Sequence, residues 1–213
     1  MKNIFFYPRV GKNYQETGFR GKKVLILGES HYCGGCNDCG NLENEEDECR
    51  SLTSNALQSF FDYKEGNYKH KGWMNTYTKF SNIIHNKALN YDELMEFWDS
   101  VVFYNYVQFD TEKARVSPKD EEFLKSSTAF YEVLEHYQPD IIIVWGERLW
   151  NKLPSTGWLG DDILYQNESR GPLYNYKIST GKIISAYGVY HPSSSAFDYS
   201  WYNFLNEVFL KVG

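Results

Sequence analysis

The sequence predicts an α/β protein, a three-layer α/β/α sandwich around a central, mostly parallel four-stranded sheet, in a single domain spanning residues 1–213. Two observations carry this expectation. Four apolar runs bounded by turn residues read as strands buried on both faces, as parallel strands are. Stretches of helical periodicity lie between them, the alternation that produces a sheet covered on both sides. A chain of 213 residues suits one such domain, with a core large enough to stand without cross-links.

In chain order, "KVLILG" (Lys23 to Gly28) is the first strand. Helical patterns follow over Ser51 to Tyr63, Asn75 to Lys87 and Tyr91 to Trp98, and then the second strand, "SVVFYNY" (Ser100 to Tyr106). A long helix over Lys119 to Tyr137 leads into the third strand, "DIIIVWG" (Asp140 to Gly146). The stretch from Trp158 to Ser179, punctuated by Gly160, Gly171 and Pro172, reads as an irregular connection with room for a short hairpin. "KIISAYGVYHP" (Lys182 to Pro192) is the fourth strand, and Tyr199 to Lys211 closes the chain as a helix.

Composition narrows the classes of partner. A formal net charge of -6 argues against a general nucleic-acid coat, because phosphate binding depends on Lys and Arg. One local stretch, "NYKHKGWMNTYTKF" (Asn67 to Phe80), interleaves Tyr68, Trp73 and Tyr77 with Lys69, Lys71 and Lys79. That mixture stacks bases and holds phosphates, and a solvated loop leading into a helix explains it equally well. The opening "MKNIFFYPRV" has only a brief apolar run, and no later run reaches membrane-spanning length, so the expectation is a cytoplasmic protein with no membrane partner.

All four cysteines fall close together: Cys33, Cys36 and Cys39 form C-x2-C-x2-C, and Cys49 follows. They cannot staple distant parts of a fold, and in an insertion at about residues 33–49 they read as a metal site. "CNDCG" looks like a zinc knuckle, which favours zinc over an iron-sulfur cluster that shares the three-residue spacing, and four thiolates saturate a tetrahedral ion and leave no position for water, so its role is structural. No nucleotide cofactor is expected, since no Gly-x-Gly-x-x-Gly follows the first strand and there is no Lys-Ser/Thr phosphate loop.

In parallel sheets ligands sit outside the carboxyl ends of the strands. The residues to question are therefore Gly28 to Tyr32, Asn105 to Gln108, Gly146 to Glu147 and His191 to Ser193. Glu29 can be a general base, an acceptor for a ligand or a loop residue. His191 can donate to a developing anion or satisfy a core contact. His31 adjoins both the strand end and Cys33, and is open to substrate contact, metal ligation or packing.

Taken together, "LILGESHY" (Leu25 to Tyr32), "VVFYNYVQ" (Val101 to Gln108), "ARVSP" followed by Glu121 and Glu122, "QPDIIIVWG" (Gln138 to Gly146) and "YHPSS" (Tyr190 to Ser194) resemble the uracil-DNA glycosylase superfamily in order and spacing, over about Lys22 to Leu210. The resemblance implies hydrolysis of the N-glycosidic bond of uracil or a damaged base in nucleic acid, of the base excision repair type, with Glu29 and His191 catalytic. It places Gly28, Ser30, His31, Tyr32, Asn105 and Ser193 around the substrate. Tyr32 falls where a ring walls the pocket, Asn105 where an amide reads the base, and Ser193 where a phosphate is gripped. The chemistry suits these groups. Glycosidic cleavage builds positive charge on the sugar and negative charge on the base, so a carboxylate and aimed donors are both needed, and a side-chain amide matches a pyrimidine edge.

Three departures shift the expected substrate. Ser30 replaces a carboxylate found in one version of the motif, Ser195 stands where some relatives carry a Leu wedge, and the acidic run Glu43 to Glu48 lies close behind the site. Without a wedge, flipping a base from a duplex loses compensation for roughly a few kcal/mol of unstacking. The expected partner is thus nucleic acid, single-stranded in particular, or a nucleobase-containing small molecule. Two alternatives stand beside the glycosylase: a non-catalytic nucleobase or nucleic-acid binding protein, and a hydrolase of a free nucleotide or nucleoside conjugate.

Overall fold

Strand β2 (Val24–Gly28) buries all five of its residues, and the alternation of its side chains divides the core in two. Val24 and Ile26 enter one apolar cluster, and Leu25 and Leu27 the other. β3 (Val101–Asn105) and β4 (Ile141–Trp145) are buried throughout in the same way, which is why each reads as an unbroken apolar run. The computed structural model describes residues 1–32, 42, 47–111, 116–155, 157–160, 163–165, 168–170 and 173–212.

The main sheet has seven strands in the order β1-β3-β2-β4-β9-β8-β5. β1 is Arg9–Val10, β5 Trp158–Gly160, β8 Leu173–Lys177 and β9 Ile183–Val189. β3, β2, β4 and β9 are adjacent and mutually parallel, while β1, β8 and β5 add antiparallel edges. β6 (Ile163–Tyr165) and β7 (Glu168–Arg170) pair separately as a hairpin. The sheet is therefore mixed and larger than the four strands expected. The stretch from Trp158 to Ser179 is not an irregular connection but supplies β5 to β8, and β8 covers the edge that β9 would otherwise leave unpaired.

Helices cover both faces. α2 (Leu52–Lys64), α3 (Met74–His85), α4 (Tyr91–Asp99) and α7 (Trp201–Lys211) pack into the cluster holding Val24 and Ile26. α5 (Asp120–Tyr137) and the short α6 (Glu147–Trp150) pack into the other, and α1 (Asp47–Arg50) precedes α2. Local chemistry sets these boundaries. Asn90 and Glu93 form a reciprocal capping box at α4, with bonds of 2.9 and 3.0 Å. Glu122 accepts the Lys119 N–H at the start of α5, and Asn86 and Gln138 take left-handed conformations just past the ends of α3 and α5. Among the described residues no helix is long and apolar enough to cross a membrane.

This topology places the site. From β2 the chain leaves to helices on one face, and from the neighbouring β3 it leaves to α5 on the other. Connections that part in this way open a crevice outside the carboxyl ends of the two strands, where Gly28 and Asn105 face each other in register.

Candidate functional site

Asn105 ends β3 on the same face as Phe103, and its amide leans across Gly28. A Cβ built on Gly28 would lie 2.2 Å from Asn105 Oδ1 and 3.2 Å from the Phe103 ring, so only glycine fits. The amide nitrogen lies 3.2 and 3.0 Å from Nδ1 and Nε2 of His31. Near-equal distances to both ring nitrogens set it against the imidazole as a whole rather than on one lone pair. Among the described residues no donor bonds Asn105 Oδ1, which leaves a buried amide with acceptor capacity for a ligand.

His31 is itself buried, against the Phe6 ring and 2.9 Å from Thr53 Oγ1 through Nε2. Burial pushes its pKa down to about 3, so it is neutral at any physiological pH. Its carbonyl accepts from Thr111 N and Oγ1, and Tyr106 N and Val107 N donate to the carbonyls of Gly28 and Glu29. The loop after β2 is thus tied to the chain leaving β3. Gln108 has a supporting role: its Oε1 accepts from Phe5 N and Phe6 N, and its Nε2 donates to Asn105 O.

A second group of residues carries charge. Arg148, in α6 just beyond β4, donates from Nε to Glu29 Oε2 at 2.7 Å and from a terminal nitrogen to Oε1, a bidentate pair, while its other terminal nitrogen donates to Ser117 Oγ. The Glu29 side chain is 14% exposed and that of Arg148 49%, so the guanidinium covers the carboxylate. His191 lies within electrostatic reach of both. Its Nδ1 is 2.7 Å from Ser193 Oγ and accepts the Ser193 N–H at 3.2 Å. A neutral ring accepting at Nδ1 carries its proton on Nε2, and so presents a donor. Burial lowers the His191 pKa, Glu29 opposes that shift and Arg148 adds to it.

The His-Pro-Ser loop is fixed from two sides. The His191 ring meets Trp145 edge to face at 6.1 Å, and Lys79 Nζ donates to Ser194 O at 2.6 Å. Gly146, at φ +97°, passes 3.5 Å from the His191 Cβ when a Cβ is built on it.

The structure therefore brings Gly28, His31 and Asn105 into contact, joins Glu29 to the neighbourhood of His191, and pairs His191 with Ser193. Ser30 is half-buried in the same loop, and Tyr32 is exposed. Tyr32 lies close enough to Tyr77 to add to the pKa rise that burial imposes on the Tyr77 hydroxyl. The aromatic and basic stretch divides: Tyr77 is buried against Trp98, Phe103 and Trp145, Trp73 is half-buried, and Tyr68, Lys69 and Lys71 remain exposed. Cys33, Cys36 and Cys39 lie outside the described residues, as do Arg115 and most of the acidic run; Cys49 is half-buried in α1. Arg148, Ser117 and Thr53 are the members that sequence reasoning missed.

Two cavities lie elsewhere. One of about 130 Å³ is bounded by Asn3, Gln108 and Lys125, and one of about 360 Å³ by Arg20, His85, Lys87 and Glu93. In the larger one Lys87 pairs with Glu93 and Arg20 donates to the Ile84 carbonyl. We place function at the strand ends, where an under-bonded amide, an imidazole donor and a carboxylate collect.

The fold and these residues define the class, an α/β protein with a cluster of polar side chains at the carboxyl ends of parallel strands. No protein-family model matches the chain, and no curated protein matches it in sequence.

Proposed function

We propose that this protein is a uracil-DNA glycosylase-like enzyme, with the sandwich fold of that superfamily, that hydrolyses the N-glycosidic bond of uracil or a damaged base in a nucleic-acid strand. The observation that carries the reading is the Asn105 amide, buried beside Gly28 at the carboxyl ends of β2 and β3 with no donor to its Oδ1 among the described residues. A base edge offering a neighbouring donor and acceptor would complete it. Cleavage of the bond from C1′ to the base nitrogen leaves its electron pair on the base and positive charge on the sugar. His191 Nε2–H donates to the base oxygen on which the negative charge collects. Water adds its oxygen to C1′ and loses a proton to Glu29, giving an abasic sugar and the base anion, which takes a proton from solvent as Glu29 returns its own.

The four thiolates of Cys33, Cys36, Cys39 and Cys49 form a donor set that fits zinc, which would fold the insertion after β2 without taking part in the reaction. One observation favours a second reading: Glu29 is already neutralised by Arg148, as in a protein that binds a nucleobase and performs no chemistry on it. Base release from single- and double-stranded oligonucleotides carrying uracil, hypoxanthine or xanthine separates the two. Release that is lost in His191→Ala and Glu29→Gln supports the glycosylase. Binding without release supports the sensor.

A further inference from the structure

We propose that Arg148 is a phosphate-binding residue held in reserve on Glu29: the phosphate of an incoming nucleotide takes the guanidinium, and the carboxylate is thereby released. The inference rests on the preceding reading only for what Glu29 does once free.

The resting arrangement is at odds with any chemistry by Glu29. Both carboxylate oxygens are engaged by one guanidinium, so neither is turned toward a water or a substrate and the charge is compensated. Either Arg148 moves or Glu29 is inert. The surroundings let Arg148 move. Its side chain is 49% exposed over a carboxylate that is 14% exposed, so an approaching anion meets the guanidinium first. Its other partner, Ser117, is an exposed neutral hydroxyl. Its mount is a four-residue helix directly after Gly146, not the interior of a long one. The fork that holds a carboxylate also fits two phosphate oxygens, so the exchange replaces one bidentate pair by another.

The substrate class follows. It is a nucleotide whose phosphate accompanies the base, in a strand or free, and a nucleoside without phosphate leaves the pair closed.

The test is equilibrium binding of three probes, deoxyuridine, deoxyuridine 5′-monophosphate and a uracil-containing single-stranded oligonucleotide, across a potassium chloride series. The proteins are wild type, Arg148→Gln, Arg148→Lys, Glu29→Gln and the Glu29→Gln/Arg148→Gln double variant. We expect binding of a phosphate-bearing probe in preference to deoxyuridine, weakened about tenfold in Arg148→Gln with partial recovery in Arg148→Lys. For the oligonucleotide, the slope of log affinity against log salt falls by about 0.7 in Arg148→Gln, one single-strand phosphate contact. Glu29→Gln tightens binding by about threefold to fivefold, the scale of an exposed ion pair that no longer competes. That gain disappears when Arg148 is also replaced. Binding by the monophosphate identifies a free nucleotide as sufficient, and binding by the oligonucleotide alone identifies the strand. The proposal is overturned if deoxyuridine binds as well as the phosphate probes, if Arg148→Gln changes neither affinity nor slope, or if the gain in Glu29→Gln persists without Arg148. Base release is scored separately: Arg148-dependent phosphate binding without release overturns the glycosylase and leaves this inference standing, and release with no role for Arg148 does the reverse.

Discussion

Gly28 and Asn105 approach so closely that a Cβ on the glycine would stand 2.2 Å from Oδ1 of the asparagine. The glycine that closes β2 is thus a requirement of its neighbour on β3. Gly28→Ala is expected to destabilise the fold by about 1–3 kcal/mol in denaturant unfolding, through overpacking, and to push the Asn105 amide out of the crevice. Base release should fall further than that loss of stability explains under conditions where the variant remains folded.

Thr53 tests the support beneath that amide. Its hydroxyl is the partner of His31 Nε2, and both side chains are buried. Thr53→Val removes the hydroxyl partner and leaves His31 Nε2 only the Asn105 amide, at a cost of about 1 kcal/mol, whereas Thr53→Ser retains the contact. Chemical denaturation of the two variants should separate them by about that amount.

The pH dependence follows from His191. Its pKa lies below the ordinary 6.5, chiefly through burial, so the neutral ring persists as pH falls through 6.5, and protonation below that breaks the Nδ1 contact with the Ser193 N–H that aims the ring while leaving the Nε2 donor. The acid limb of the rate profile is expected below pH 6.5. Arg148→Gln removes a depressing charge and should move that limb to higher pH, while Glu29→Gln should move the binding pKa of His191, read by NMR, to lower pH. Stability has the matching sign. The unfolded state binds the proton more readily, so the contribution of a neutral His191 is present above pH 6.5 and is lost as pH falls from there to the folded pKa, a dependence that His191→Asn should flatten.

The cysteine segment has its own test. Purified protein should carry zinc close to one equivalent by elemental analysis, and Cys36→Ser should lose most of it and lower the thermal midpoint. Iron with visible absorption in place of zinc would contradict that assignment.

Three of the four parallel strands were legible because burial on both faces leaves continuous apolar runs such as "IIIVW" in β4, and β9 because its apolar residues still run together although Ile183 is exposed. The edge strands were not. β8, with Tyr174 and Tyr176 alternating around Asn175, and the two-residue β1 lack such a run, and their pairing is set by the edges they cover. In the site, Gly28 and Asn105 close their strands and Glu29 and His191 lie one and two residues past theirs, where ligands bind in such sheets, so all four could be found by position. Arg148 stands only one residue past Glu147, yet α6 is too short to show a helical period, and nothing in sequence joins Arg148 to a carboxylate on another strand. Thr53 was hidden for a similar reason: its contact with His31 arises from packing α2 over the loop.

The measurement that bears most directly on the central claim is release of free base from a single-stranded oligonucleotide containing uracil, quantified by mass spectrometry for wild type and Asn105→Ala. We expect release by wild type and a fall of about 100-fold or more in Asn105→Ala, the scale of losing a contact that positions the base for reaction. No release of any base by wild type, or equal release by the two proteins, would contradict the assignment of the crevice between β2 and β3 as a glycosylase site.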